Sequence, residues 1–288
     1  MVLESLITAV KAEQKPTRLI FYGILYSSIA TILSLWIFRD QSSLVMVFLT
    51  VLAAVPLVYN TLKLEEKKDE TIESEKRILR EHWKALSCFM YLFMGFLISF
   101  SLWYVLLPSN SVDVLFSTQI STIKNINSNL IKVNLPSGSF TQQEILYKIV
   151  DNNIRVLMFS ILFSFFYGAG SIFILTWNAS VIAGAVGIYI RTNLSKISSI
   201  FGLTQISNYF SIFSIGFMRY LTHGVFEILA YFIGALAGGI ISIAVIKNDI
   251  YSKRFMHIMK DVFLLMVLAV VIVFLGALVE VYITPRLF

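Results

Sequence analysis

Apolar residues fall along this chain in long, nearly unbroken runs, at about 19–38, 44–62, 85–107, 154–177, 223–246 and 261–283. Each run is close to the ~20 residues that a helix needs to cross hydrocarbon, and none has the polar stripe that would let it face water. The pattern predicts an all-α fold, a polytopic transmembrane helix bundle of six to seven spans. "RDQSS" joins the first two spans and allows only a tight hairpin, and Pro56 predicts a kink in the second.

Two polar stretches interrupt the pattern. Residues 63–84 carry seven Lys or Arg and seven Asp or Glu. Glu73, Arg77 and Glu81 stand four apart there, which brings opposite charges together on a helix surface. Ile72, Leu79, Trp83 and Leu86 leave a partial apolar stripe, so the block reads as a helical hairpin continuing spans two and three, with its turn near Lys68–Thr71. Residues 108–150 are rich in Ser, Asn and Thr and read as a loop on the opposite side of the membrane.

The segment 178–222 is less regular. "ASVIAGAVGIYI" before Arg191 has about twelve apolar residues, or roughly 18 Å of helix against ~30 Å of hydrocarbon. It reads as a half-helix, and 197–218 as a re-entrant or interfacial segment. One of 178–195 and 197–218 crosses and the other dips, and the pattern leaves open which. The chain therefore divides into an interfacial amphipathic N-terminal helix (1–18, with Leu3, Leu6, Ile7 and Val10 on one face and Pro16 as its stop), an N-terminal transmembrane region (19–107) bearing the charged hairpin, an extracytoplasmic loop (108–150) and a second transmembrane region (151–288).

Charge sets the orientation. With the N-terminus, 63–84 and 247–260 in the cytoplasm, three, seven and four cations lie there, while 108–150 is sparse in them. This gives a multi-pass cell-membrane protein with seven crossings, a cytoplasmic N-terminus and the C-terminus outside. The net charge of +6 is spread over the ends of apolar runs rather than gathered in one patch, which speaks against a nucleic-acid partner. Cys88 is the sole cysteine, so there is no disulfide framework and no thiolate metal site. No GxSxG, HExxH or P-loop pattern occurs, and no cofactor is expected.

Ionisable residues inside the apolar runs are the candidates for function, because each costs about 2.5–3.5 kcal/mol or more at the bilayer centre unless partnered. Asn152, Asn153 and Arg155 open the fourth run, His223 and Glu227 the sixth, and Glu280 lies near the end of the last. On the topology above, these six share one depth near the outer face and form an intramembrane polar cluster. At 100° per residue, His223, Glu227, Ala230, Gly234 and Gly238 lie on one helix face. With Gly224, the last three are small residues suited to close helix packing, and Gly234-x-x-x-Gly238 is a GxxxG pair. Glu227 then finds its partner in His223, in Arg155, or in Asn152 and Asn153. His223 and Glu227 supply too few ligands for a zinc site.

"NNIRV" at 152–156, "GAGSIFILTWNASVIAG" at 168–184 and "HGVFEILAYFIGALAGG" at 223–239 resemble the stage II sporulation protein M family over roughly residues 145–285. The last stretch follows that family's His-Gly, Glu, small-residue pattern through His223, Gly224, Glu227, Ala230 and Gly234. In spore-forming bacteria the resemblance implies a membrane scaffold that holds a peptidoglycan-degrading pair. The expectation is a non-enzymatic scaffold or assembly subunit in the bilayer, with other membrane or membrane-associated proteins, or further copies of itself, as partners. The alternative is a permease-like subunit moving a lipid or small solute.

Overall fold

The structure is a computed structural model that describes residues 6–71, 75–133, 142–164, 169–197, 203–247 and 253–287. Among these residues it is helical with no strand, as the apolar runs require, and six helices are long and apolar enough to cross a membrane.

A short helix α1 (Ala9–Gln14) turns at Pro16 into α2 (Arg18–Ile37), and a single 3-10 turn leads to α3 (Ser42–Thr71). Pro56 stands inside α3, and the helix runs on through it. α4 (Glu75–Leu106) returns. α2 and α4 are parallel, since Gly23 meets Leu92 and Gly95 while Ser28 bonds Ser99 at 3.0 Å. Gly23 is where their backbones close: a Cβ there would lie 2.6 Å from the Leu92 carbonyl oxygen and 2.9 Å from the Gly95 Cα. Only a residue without a side chain permits that approach.

α3 and α4 continue past the bundle as two helical arms, and α3 stays helical through Thr71, so the turn expected near Lys68–Thr71 is not there. Ile72, Glu73 and the side chains of Arg77 and Leu79 lie outside the described residues. The expected apolar stripe is corrected at Trp83, which is 58% exposed, while Glu65 and His82 are buried in its place. His82 Nδ1 lies 2.8 Å from Glu65, and Lys68 Nζ lies 2.7 Å from Glu13 and 2.6 Å from Glu65. The arms are joined by charge, and α1 docks on them through Ile7, Ala9, Ala12 and Glu13, leaving Leu6 and Val10 exposed.

The two exposed tryptophans locate the membrane. Trp83 opens the span of α4, and Trp36, 79% exposed, closes α2 at the other end. In the α2–α4 register Trp36 stands level with about Leu107, and 83 to 107 is about 36 Å of helix. That matches a hydrocarbon slab of ~30 Å with Trp at both interfaces. We call these the arm end and the far end.

The segment read as a loop is in part a cap on the far end. α5 (Ser109–Leu115) folds back so that Phe116 packs on Tyr104, their rings 4.9 Å apart, and α6 (Ser117–Val133) begins inside the bundle. Gln119 is fully buried: its Oε1 accepts from Ser43 Oγ at 2.7 Å, and its Nε2 donates to Ser180 Oγ at 3.1 Å. A single amide thus ties α3, α6 and α8 (Ala169–Ile197) together. Arg191 of α8 donates to the carbonyl oxygens of Val105 and Leu107, satisfying groups that the end of α4 leaves free.

The second half corrects three expectations. The run 154–177 is not one span, because α7 (Gln142–Ser164) ends within it and α8 begins. α7 runs with Leu157 and Ile161 against Gly234 and Gly238, and α8 runs back from Ile172, beside Phe89 and Phe232, to Gly187 beside Tyr104. Residues 179–190 are not a half-helix but the middle of α8, whose span Ile172–Leu194 draws its missing length from the run before it. Residues 203–218 are neither re-entrant nor interfacial. They form the first third of α9 (Leu203–Lys247), a single helix of 45 residues. Ser, Asn and Gln lower the hydropathy of 203–218, but no proline interrupts it, and polar helices remain helices outside hydrocarbon. α10 (Lys253–Leu278) returns, widens into one π-helical turn (Val279–Ile283) and closes with the short α11 (Thr284–Leu287).

Candidate functional site

α7 and α9 run parallel, with Asn153 beside Glu227, Leu157 beside Gly234 and Ile161 beside Gly238. A Cβ on Gly238 would lie 2.5 Å from the Ile161 carbonyl oxygen and 2.8 Å from Ser164 Cβ. The contact is sealed by Ser164 Oγ donating to the Ala235 carbonyl at 2.7 Å, and Ala230 is fully buried on the same stripe. Gly224 differs: nothing stands within 4 Å of a Cβ built there, so no helix closes on it.

This close packing sets Glu227 against α7. Asn153 Nδ2 donates to Glu227 Oε1 at 2.5 Å, and Asn153 Oδ1 accepts from Tyr231 Oη at 3.0 Å. From the third side, Gly276 lets α10 approach Phe226 and Glu227. One turn beyond Gly276, Glu280 stands close enough to Glu227 for the two carboxyl groups to interact.

Glu280 lies in the π-helical turn, held by Thr284 Oγ1 donating to the Val279 carbonyl at 3.2 Å. Such single wide turns rotate a side chain out of the ordinary register and recur at functional positions. Here the turn aims a carboxyl inward from the last helix. The knot lies well inside the slab bounded by Trp83 and Trp36, about 8 Å along α9 from Phe232, which stacks on Phe89 at 5.7 Å.

Of the six residues proposed from sequence, Asn153, Glu227 and Glu280 come together. Asn152 sits at the edge, its Nδ2 3.4 Å from Asn153 Oδ1. Arg155 does not join them: its side chain is 71% exposed and pairs with Asp151 at 2.7 Å. A parallel helix turned so that Asn153 faces inward carries Arg155, two residues on, to the opposite side. The His223 side chain lies outside the described residues. Glu227 and His223 do not open a helix, since α9 begins at Leu203. Tyr231 escaped sequence reasoning, although it stands one turn beyond Glu227 on the same stripe.

Fold and site together define a polytopic helical membrane protein with a half-buried carboxyl pair between three of its helices. A family model described as stage II sporulation protein M matches residues 44–285, and the chain belongs to that family. The match begins well before residue 145 and spans both arms. No curated protein and no solved structure matches the chain.

Proposed function

We propose that the chain is a non-enzymatic membrane scaffold or assembly subunit that engages membrane or membrane-associated proteins, or further copies of itself, through helices that leave the bilayer. The observation carrying this reading is helix continuity. α3 and α4 pass unbroken from the slab into the arms, and α9 has 45 residues, about 67 Å, more than twice the thickness of hydrocarbon. A helix that emerges unbroken holds a partner at a set position relative to the bundle. The His82–Glu65 and Lys68–Glu81 pairs hold the two arms to each other.

The test is copurification after crosslinking in native membranes. Replacing residues 69–79 by a Gly-Ser linker should abolish partner recovery while the bundle keeps its thermal transition; undiminished recovery would contradict the proposal.

The second reading, a permease-like subunit, draws on one observation: a carboxyl pair within the slab, with Glu280 on a π-helical turn. Glu227→Gln separates the two. A scaffold keeps its partners and its activity in cells, whereas a permease assembles normally and loses activity.

A further inference from the structure

The corner between α1 and α2 encloses a cavity of about 410 Å³ lined by Thr8, Lys11, Gln14, Lys15, Arg18 and Tyr22. Three of these are cations. The turn at Pro16 brings them together, folding Lys11 of α1 and Lys15, which caps its C-terminal end, onto Arg18, the first residue of α2. Among the described residues no acid pairs with any of the three. The one acid of α1, Glu13, faces the other way and is held by Lys68 of the arms. Thr8, Gln14 and Tyr22 add neutral hydrogen-bonding groups to the same walls.

We propose that this cavity binds the phosphate-bearing headgroup of an anionic phospholipid from the leaflet at the arm end. The position selects the source of the phosphate. Glu13 of α1 meets Lys68 at 2.7 Å, and Lys68 stands 3.5 Å from Glu81, two residues before Trp83, so the cavity beside α1 sits at the membrane interface rather than in bulk water. Arg18 and Trp36 are eighteen residues apart, about five turns, and therefore share one meridian of α2. Ile29, Ile32 and Trp36 along that meridian are exposed, which makes it the lipid-facing side. Leu6, Val10 and Phe21 are exposed around the mouth, where acyl chains would lie. Cations beneath a lipid-facing stripe, ringed by exposed apolar side chains, suit a headgroup with its tails attached better than a free anion.

Native mass spectrometry of the full chain in mild detergent tests this, with phosphatidylglycerol, phosphatidylcholine and inorganic phosphate as probes. Phosphatidylglycerol should be retained in preference to phosphatidylcholine, and inorganic phosphate should not displace it. In Lys11→Gln, Lys15→Gln and Arg18→Gln, singly and combined, retention should weaken roughly fivefold for each cation removed. Lys124→Gln at the far end should leave it unchanged. Glutamine removes the charge and keeps these exposed side chains polar, and an unchanged thermal transition verifies folding. Equal retention by the triple variant, equal binding of phosphatidylcholine, or displacement by inorganic phosphate would each overturn the proposal.

Discussion

At the scale of single residues, Glu227 shows what a buried acid needs. Asn153 hydrogen-bonds it and Glu280 stands against it, and both neighbours depend on glycines: Gly234 and Gly238 bring in α7, and Gly276 brings in α10. Glu227→Gln retains a hydrogen-bonding side chain of the same length. Glu227→Ala leaves the buried Asn153 amide without its acceptor, at about 1–3 kcal/mol for an unsatisfied polar group. Thermal unfolding in detergent should therefore rank wild type and Glu227→Gln close together and Glu227→Ala clearly lower. If alanine proves as stable as glutamine, the three groups do not support one another.

Glu13 makes a different prediction, for it lies outside the spans. Burial pushes its carboxyl up to about 7, against the pull of Lys68 and with Glu65 adding repulsion. Glu65, Lys68, Glu81 and His82 are the charged and titratable groups on the arms around it. The docked value lies above the ordinary carboxylate value, so docked α1 holds its proton more tightly than free α1 does. The contribution of Glu13 to docking is complete at low pH and is lost as the pH rises through about 7. Hydrogen exchange of residues 9–14 should accelerate over that interval, and Glu13→Gln should flatten the dependence. Exchange that slows with rising pH, after correction for intrinsic rates, would reverse the sign.

At the scale of elements, helix contacts rest on glycines placed where two backbones nearly touch. Gly238→Leu would drive a side chain into the Ile161 carbonyl, at a cost of about 1–3 kcal/mol or more for overpacking. Gly224→Ala meets open space and should be neutral or slightly stabilising, since alanine favours helix over glycine. Equal effects of the two substitutions would contradict the packing of α7 on α9. The GxxxG stripe was legible because its two glycines repeat at helix spacing beside Glu227. The Gly23–Gly95 crossing was not, since each is a lone glycine in its own helix and only the fold brings them together. Gln119 is likewise illegible: nothing in a polar, Ser-rich stretch distinguishes an amide bound for the core from its solvated neighbours.

At the scale of the whole molecule, the number of long apolar helices and the helical arms could be read from hydropathy and charge, because the bilayer imposes a length and a polarity on every span. The partition of 154–222 could not. Hydropathy reports where hydrocarbon is, whereas α7, α8 and α9 begin and end by turn geometry. α9 stays helical through a polar stretch that hydropathy assigns to another element. The central claim is that the bundle spans the membrane with the charged arms on one side and the α5–α6 cap on the other. Single cysteines at Arg80 and Lys124 in a Cys88→Ser background, probed with an impermeant thiol reagent in intact cells, test it directly because only α4 crosses between them. The account predicts labelling at 124 in intact cells and at 80 only after permeabilisation; labelling of both positions from the same side would contradict it.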